Sequence, residues 1–125
     1  MILDTNALSA FVVGDTALGE LLSQQQRAAI PVIVLGEFRY GISSSRYRAT
    51  YERWLETHLT DFEVLSVTAD TATAYAGVRV ALKQAGTPIP ANDAWIAALA
   101  IEHGLPVLSR DTHFDVVAGL RRVDW

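Results

Sequence analysis

Cysteine is missing from the 125 residues, so no disulfide braces the fold and no thiolate is available as nucleophile or metal ligand. Any metal ion must then be held by oxygen or by one of the three histidines. Long apolar runs are missing too, because no stretch approaches the ~20 uninterrupted apolar residues of a membrane span. No basic region precedes the first apolar residues, so a secretory signal is not read and a soluble, cytoplasmic protein is expected. Repeats, low-complexity runs and linkers are absent, which leaves one domain over residues 1–125. Lysine is nearly absent, with Lys83 standing alone against nine arginines. An excess of positive charge is lacking as well: the formal net charge is -4, which weighs against a non-specific polynucleotide binder.

Hydrophobic residues, by contrast, make up 50% of the chain, and a chain of this length buries roughly two-thirds of its unfolded surface. Short apolar runs predict strands at Met1–Leu3, at "AIPVI" (Ala29–Ile33), at "FEVLSV" (Phe62–Val67), at "LPVLS" (Leu105–Ser109) and, as a closing edge strand, at "LRRVDW" (Leu120–Trp125). Helical spacing predicts helices over Ala7–Val13, over Thr16–Gln26, through "VLGEFRYGI" (Val34–Ile42) and along the Tyr47, Tyr51, Trp54, Leu55, His58 stripe. Thr68 or Asp70 caps a long helix to Gln84, and Asn92 or Asp93 starts one that is apolar at every position from Ala94 to Ile101, hence buried on most sides. The alternation of strands and helices gives an α/β domain with a mainly parallel central sheet.

The acids fall in a pattern on that map. Asp4 follows the first strand, Glu37 lies in the first turn of the helix after the second, Asp111 follows the fourth, and Asp93 begins the buried helix. Ligands of an open parallel sheet bind beyond the carboxyl ends of its strands, so these acids are expected to converge there. Four carboxylates in one pocket repel one another, no basic residue in these motifs is placed to neutralise them all, and a divalent cation would. An oxygen-only set selects Mg2+, or Mn2+, over zinc or copper.

The stretches "ILDTN", "LGEFRYG", "PANDAWIAALAIEHGLPVLSRDTHFD" and "VAGLRRVDW" resemble, in order and across the whole chain, the successive motifs of PIN-domain nucleases, most closely the VapC toxins of toxin–antitoxin pairs. The resemblance implies a three-layer α/β/α domain, a Mg2+- or Mn2+-dependent endoribonuclease, a homodimer and a VapB-type antitoxin as partner. It assigns catalysis to Asp4, Glu37, Asp93 and Asp111, with Asp4, Asp93 and Asp111 as metal ligands and Glu37 and Asp115 as further candidates. Thr5 and Asn6 match the polar residues that steady the first acid. Arg39, Arg46, Arg48 and His113 are candidate contacts for RNA or antitoxin.

Plainer readings compete at each position. Asp4 would be a strand-end acid satisfied by backbone amides, Glu37 and Asp93 would be acids favoured by a helix N-terminus, and Asp111 would cap the turn that follows it. Asp115 would be a surface acid, His113 a plain helix-start residue, His58 a packed side chain, and Trp95 part of the core. A PIN-type scaffold without activity is the non-enzymatic alternative. A receiver-like domain needs a lysine at a late strand end, and a haloacid-dehalogenase-like phosphatase needs an acid where Asn6 stands.

Overall fold

Pairs of neighbouring aliphatic residues, both shielded from solvent, build the centre of the sheet. A computed structural model describes residues 1–125. Its strands are β1 (Ile2–Leu3), β2 (Ala29–Pro31), β3 (Glu63–Leu65), β4 (Val107–Leu108) and β5 (Arg122–Val123), side by side in the order β3-β2-β1-β4-β5. All four pairings are parallel. Successive strand residues point to opposite faces, and Ile2, Leu3, Val107 and Leu108 are all fully buried. Both faces of the sheet centre are therefore covered, as in a three-layer α/β/α sandwich.

The covering helices are α1 (Thr5–Val12), α2 (Thr16–Ser23), α3 (Val32–Ile42), α4 (Arg48–His58), α5 (Ala69–Ala85) and α6 (Ala91–His103). None is long and apolar enough to cross a membrane. In α6, Ala94 and every residue from Ile96 to Ala100 are buried, as the unbroken apolar run predicts. Its alanines let α5 lie close against it, and Tyr75 of α5 stacks on Trp95 of α6 with ring centroids 3.8 Å apart. Trp95 thus packs against another helix instead of standing free for a nucleobase. His58 stacks on Trp54, with centroids 4.5 Å apart, and is likewise a packing residue.

Most strands are shorter than the apolar runs suggest and α2 ends at Ser23 rather than Gln26; three further boundaries differ for a local reason. Helix α1 begins at Thr5, two residues early, because Asp4 takes the N-cap position. The second strand stops at Pro31, and the β-branched run Val32, Ile33, Val34 enters α3 directly. Tertiary burial of Val34, Phe38 and Ile42 at helical spacing overrides the strand preference of that run. Helix α6 starts at Ala91 behind Pro90, which places Asp93 inside the first turn rather than at the cap.

Strand β4 lies between β1 and β5, and both of its side chains, Val107 and Leu108, are buried on the covered faces of the sheet. Replacing Leu108, fully buried, with alanine leaves a cavity at the sheet centre and is expected to lower the unfolding free energy by about 2–5 kcal/mol in urea denaturation.

Candidate active site

Strands β1 and β4 end side by side, with Leu3 in register with Leu108, and the residues that leave them are Asp4 and Ser109. Asp4 is only 5% exposed and Ser109 is fully buried. The Ser109 hydroxyl donates to Asp4 Oδ2 at 2.7 Å, while Asp4 Oδ1 accepts the Thr5 backbone N–H at 2.8 Å. Ser109 Oγ in turn accepts from Asn6 Nδ2 at 3.1 Å and from the Asp111 N–H at 2.9 Å. Asn6 also receives the Arg110 N–H on its Oδ1 at 3.3 Å. One hydroxyl thereby fixes the first acid, the amide beside it and the backbone leading to Asp111. Ser109 was not singled out in the sequence, although its position is a legible signal: a lone polar residue at the carboxyl end of a buried strand, two residues before an acid.

The other acids arrive from helices. Glu37 is the sixth residue of α3, in its second turn, so the helix-terminus explanation for an acid in the first turn does not apply to it. Its Oε1 and the Thr5 hydroxyl are both buried, and neither meets a partner at hydrogen-bonding geometry. Burial holds the Glu37 carboxyl above its ordinary range, and the charges of Asp4 and Asp93 push it further. Asp4 is also raised, chiefly by burial and then by Asp93 and Asp111, against its hydrogen bonds from Ser109 and Thr5. Asp4 thus feels the charges of Asp93 and Asp111, and Glu37 those of Asp4 and Asp93, at one edge of the sheet.

His113 enters the same cluster, in contrast to the plain helix-start position read from the sequence. Its Nδ1 lies 2.9 Å from Asp93 Oδ2 and 3.1 Å from Asp111 Oδ1, and the bond with Asp93 raises the imidazole above its usual value. Asp111 caps the 3-10 turn Thr112–Val116, accepting the His113 N–H at 2.9 Å. The capping reading of Asp111 and its membership of the cluster are both true.

The remaining candidates lie apart. Asp115 is held by Arg122, with contacts of 2.7 Å and 3.2 Å to its two oxygens, and has a cation of its own. Its carboxyl is accordingly lowered by that guanidinium. Arg39, Arg46 and Arg48 are exposed around the α3–α4 corner. There Arg48 pairs with Glu52 at 2.8 Å and Arg46 lies over the Tyr47 ring at 4.8 Å. They form no part of the acid cluster.

Comparison with known proteins identifies the family. The family model of the PIN domain matches residues 1–120. The chain belongs to the PIN-domain family. The ribonuclease VapC5 of Mycobacterium tuberculosis is 34% identical over 126 residues, covering 98% of this chain and 91% of that one. The tRNA(fMet)-specific endonuclease VapC of Shigella flexneri is 30% identical over 102 residues, 81% of this chain and 77% of that one. Among solved structures, VapBC2 from Rickettsia felis bound to a DNA fragment from its promoter superposes with a TM-score of 0.88 at 27% identity, covering 99% of this chain and 97% of that one.

In this PIN domain the donor set fits a divalent cation. Carboxylate oxygens of Asp4, Glu37, Asp93 and Asp111 supply negative charge in excess of any basic partner at the site, and Glu37 Oε1 is buried with no partner in full hydrogen-bonding geometry, the Thr5 hydroxyl being the donor beside the carboxylate. Like charges gathered in this way are expected to destabilise the fold, and a bound cation would relieve them. A carboxyl whose folded pKa is raised contributes stability that is complete below its unfolded pKa and is lost as pH rises through the folded value. Glu37→Gln is therefore expected to melt higher than wild type at pH 7 in chelator, with the difference shrinking as the pH falls toward the ordinary carboxylate range. Added Mg2+ or Mn2+ should then stabilise the variant less than wild type. Melting curves across pH, with and without the ions, check both signs.

Proposed function

We propose that this PIN domain is a metal-dependent endoribonuclease and the toxin of a VapBC-type pair. The observation that carries the reading is the meeting of Asp4, Glu37, Asp93 and Asp111 on one sheet edge, in a chain aligned over nearly its whole length with a VapC ribonuclease. A Mg2+ or Mn2+ ion bound there supplies neutralisation of the phosphodiester charge and lowers the pKa of water to that of a usable nucleophile. The protein's own contribution is placement. Ser109, Thr5 and Asn6 lock the Asp4 carboxylate so that it need not reorganise when the ion and substrate arrive. Asp93 and Asp111 face the same space from a helix and from a turn. Glu37 Oε1, without a partner in full hydrogen-bonding geometry, would accept a hydrogen bond from the attacking water or complete a second ion's ligand set. Water attacks phosphorus, the bond to the 3' oxygen breaks, and the products carry 5'-phosphate and 3'-hydroxyl ends.

The partner reading follows from surface and charge. Exposed Val13 at the end of α1 and Tyr40 and Tyr47 around the α3–α4 corner, at 69%, 83% and 49% exposure, leave apolar surface for a second chain. The acid cluster attracts a basic side chain that would take the cation's place. A VapB-type antitoxin, like those in the solved VapBC complexes, meets both demands, and a second copy of the chain completes the assembly. RNA, antitoxin and toxin then work together in the cytoplasm.

Asp4→Asn and Asp93→Asn are each expected to abolish cleavage of a total-RNA substrate while the circular dichroism spectrum stays that of wild type. Excess EDTA should silence the wild-type enzyme in the same way, and cleavage that persists in chelator would overturn the metal mechanism. In cells, induction of the wild-type chain should arrest growth, with relief by Asp4→Asn or by co-expression of the neighbouring antitoxin gene.

A further inference from the structure

The acid cluster contains one nitrogen that the mechanism above leaves unused. His113 Nδ1 stands 2.9 Å from Asp93 Oδ2 and 3.1 Å from Asp111 Oδ1, and ligand atoms from these three residues all lie within 4.8 Å of one another. Adjacent ligands in an octahedron with ~2.1 Å bonds stand ~3.0 Å apart. The two nitrogen–oxygen separations therefore match neighbouring corners of a single coordination sphere. The ring is also held in place: the His113 N–H is fixed by Asp111 at 2.9 Å, and the next residue, Phe114, is fully buried. The His113 side chain itself is 49% exposed, so an ion reaches it without opening the core.

We propose that His113 ligates the catalytic cation through Nδ1, beside Asp93 and Asp111, and thereby shifts the site from Mg2+ toward first-row transition ions such as Mn2+. The inference rests on the metal-nuclease reading and deepens it. Magnesium takes oxygen almost exclusively and holds its waters tightly, whereas imidazole nitrogen is a good donor to transition ions. A mixed set of carboxylates and one imidazole therefore discriminates between ions that an all-carboxylate site would accept alike. Any proton on Nδ1 passes to solvent as the ion enters, since the lone pair that faces the two carboxylates is the one that coordinates. The same separations would also suit an imidazolium paired with two carboxylates. In that arrangement the ring would compete with every cation instead of selecting one.

The two roles give opposite signs when the ring is removed. The Mn2+-loaded wild-type chain is examined by electron spin echo envelope modulation, and Mn2+ and Mg2+ affinities are measured by calorimetry for wild type, His113→Ala and His113→Gln. Ligation predicts 14N modulation in wild type that disappears in both variants, and a loss of about 10-fold or more in Mn2+ affinity with a much smaller change for Mg2+. A wild-type spectrum with no nitrogen coupling overturns the proposal, and so do variants that bind both ions more tightly. Tight binding of both ions through oxygen alone would overturn this inference and leave the nuclease reading standing, whereas a wild-type chain that binds neither ion would remove both.

Discussion

The structure turns on the parallel pairing of β1 with β4. That pairing sets Leu3 against Leu108, and the next residue on each strand, Asp4 and Ser109, meets the other in a buried hydrogen bond of 2.7 Å. A one-residue slip would exchange the faces of β4 and send the hydroxyl away from the carboxylate. Register and site are therefore specified together, because the aliphatic packing that fixes the sheet also fixes which polar groups face each other at its edge. The α5–α6 pair serves the same end from the side, since α6 is buried from Ile96 to Ala100 and carries Asp93 in its first turn.

Against that stabilising frame stands an electrostatic cost. Asp4 is buried and Glu37 half-buried, with both carboxyls raised, and Asp93 and Asp111 add like charge nearby. Elsewhere several acids are paired with guanidinium groups: Asp115 with Arg122, Glu63 with Arg27, Glu52 with Arg48. At the sheet edge, the one basic side chain among the acids is that of His113. A fold that neutralises its acids on the surface and gathers them without a guanidinium in one recess concentrates electrostatic strain where a cation can release it.

Much of this was legible in the sequence, for reasons that differ by residue. Strand alternation with helices gave the parallel α/β architecture, and the carboxyl-edge rule then brought Asp4, Glu37 and Asp111 together before any coordinate was known. The apolar run from Ala94 to Ile101 announced α6 by composition alone. The hidden parts depend on contacts between residues far apart in sequence. Ser109 carries no motif of its own and matters only because β4 lies beside β1. His113 looks like an ordinary turn residue until α6 places Asp93 next to it. The extra length assigned to β2 was an error of local preference, since Val32 and Ile33 favour strands by themselves and become helical through the burial of α3. Asp115 was a candidate ligand by its spacing from Asp111, and only β5 supplies the Arg122 that occupies it.

The separation of the two halves of the site along the chain has a consequence for the order of events during synthesis. Asp4 and Ser109 are 105 residues apart, and the strand that brings them together is the fourth of five in sequence while lying next to the first in space. A ribosome that has made β1, β2, β3 and all six helices has therefore produced a sheet with an open place beside β1 and three of the four acids, Asp4 without its serine partner. The hydroxyl that locks Asp4, the Asp111 carboxylate and the His113 ring all emerge in the last stretch of translation. The recess that gathers the acids is consequently incomplete until synthesis of the chain is almost finished.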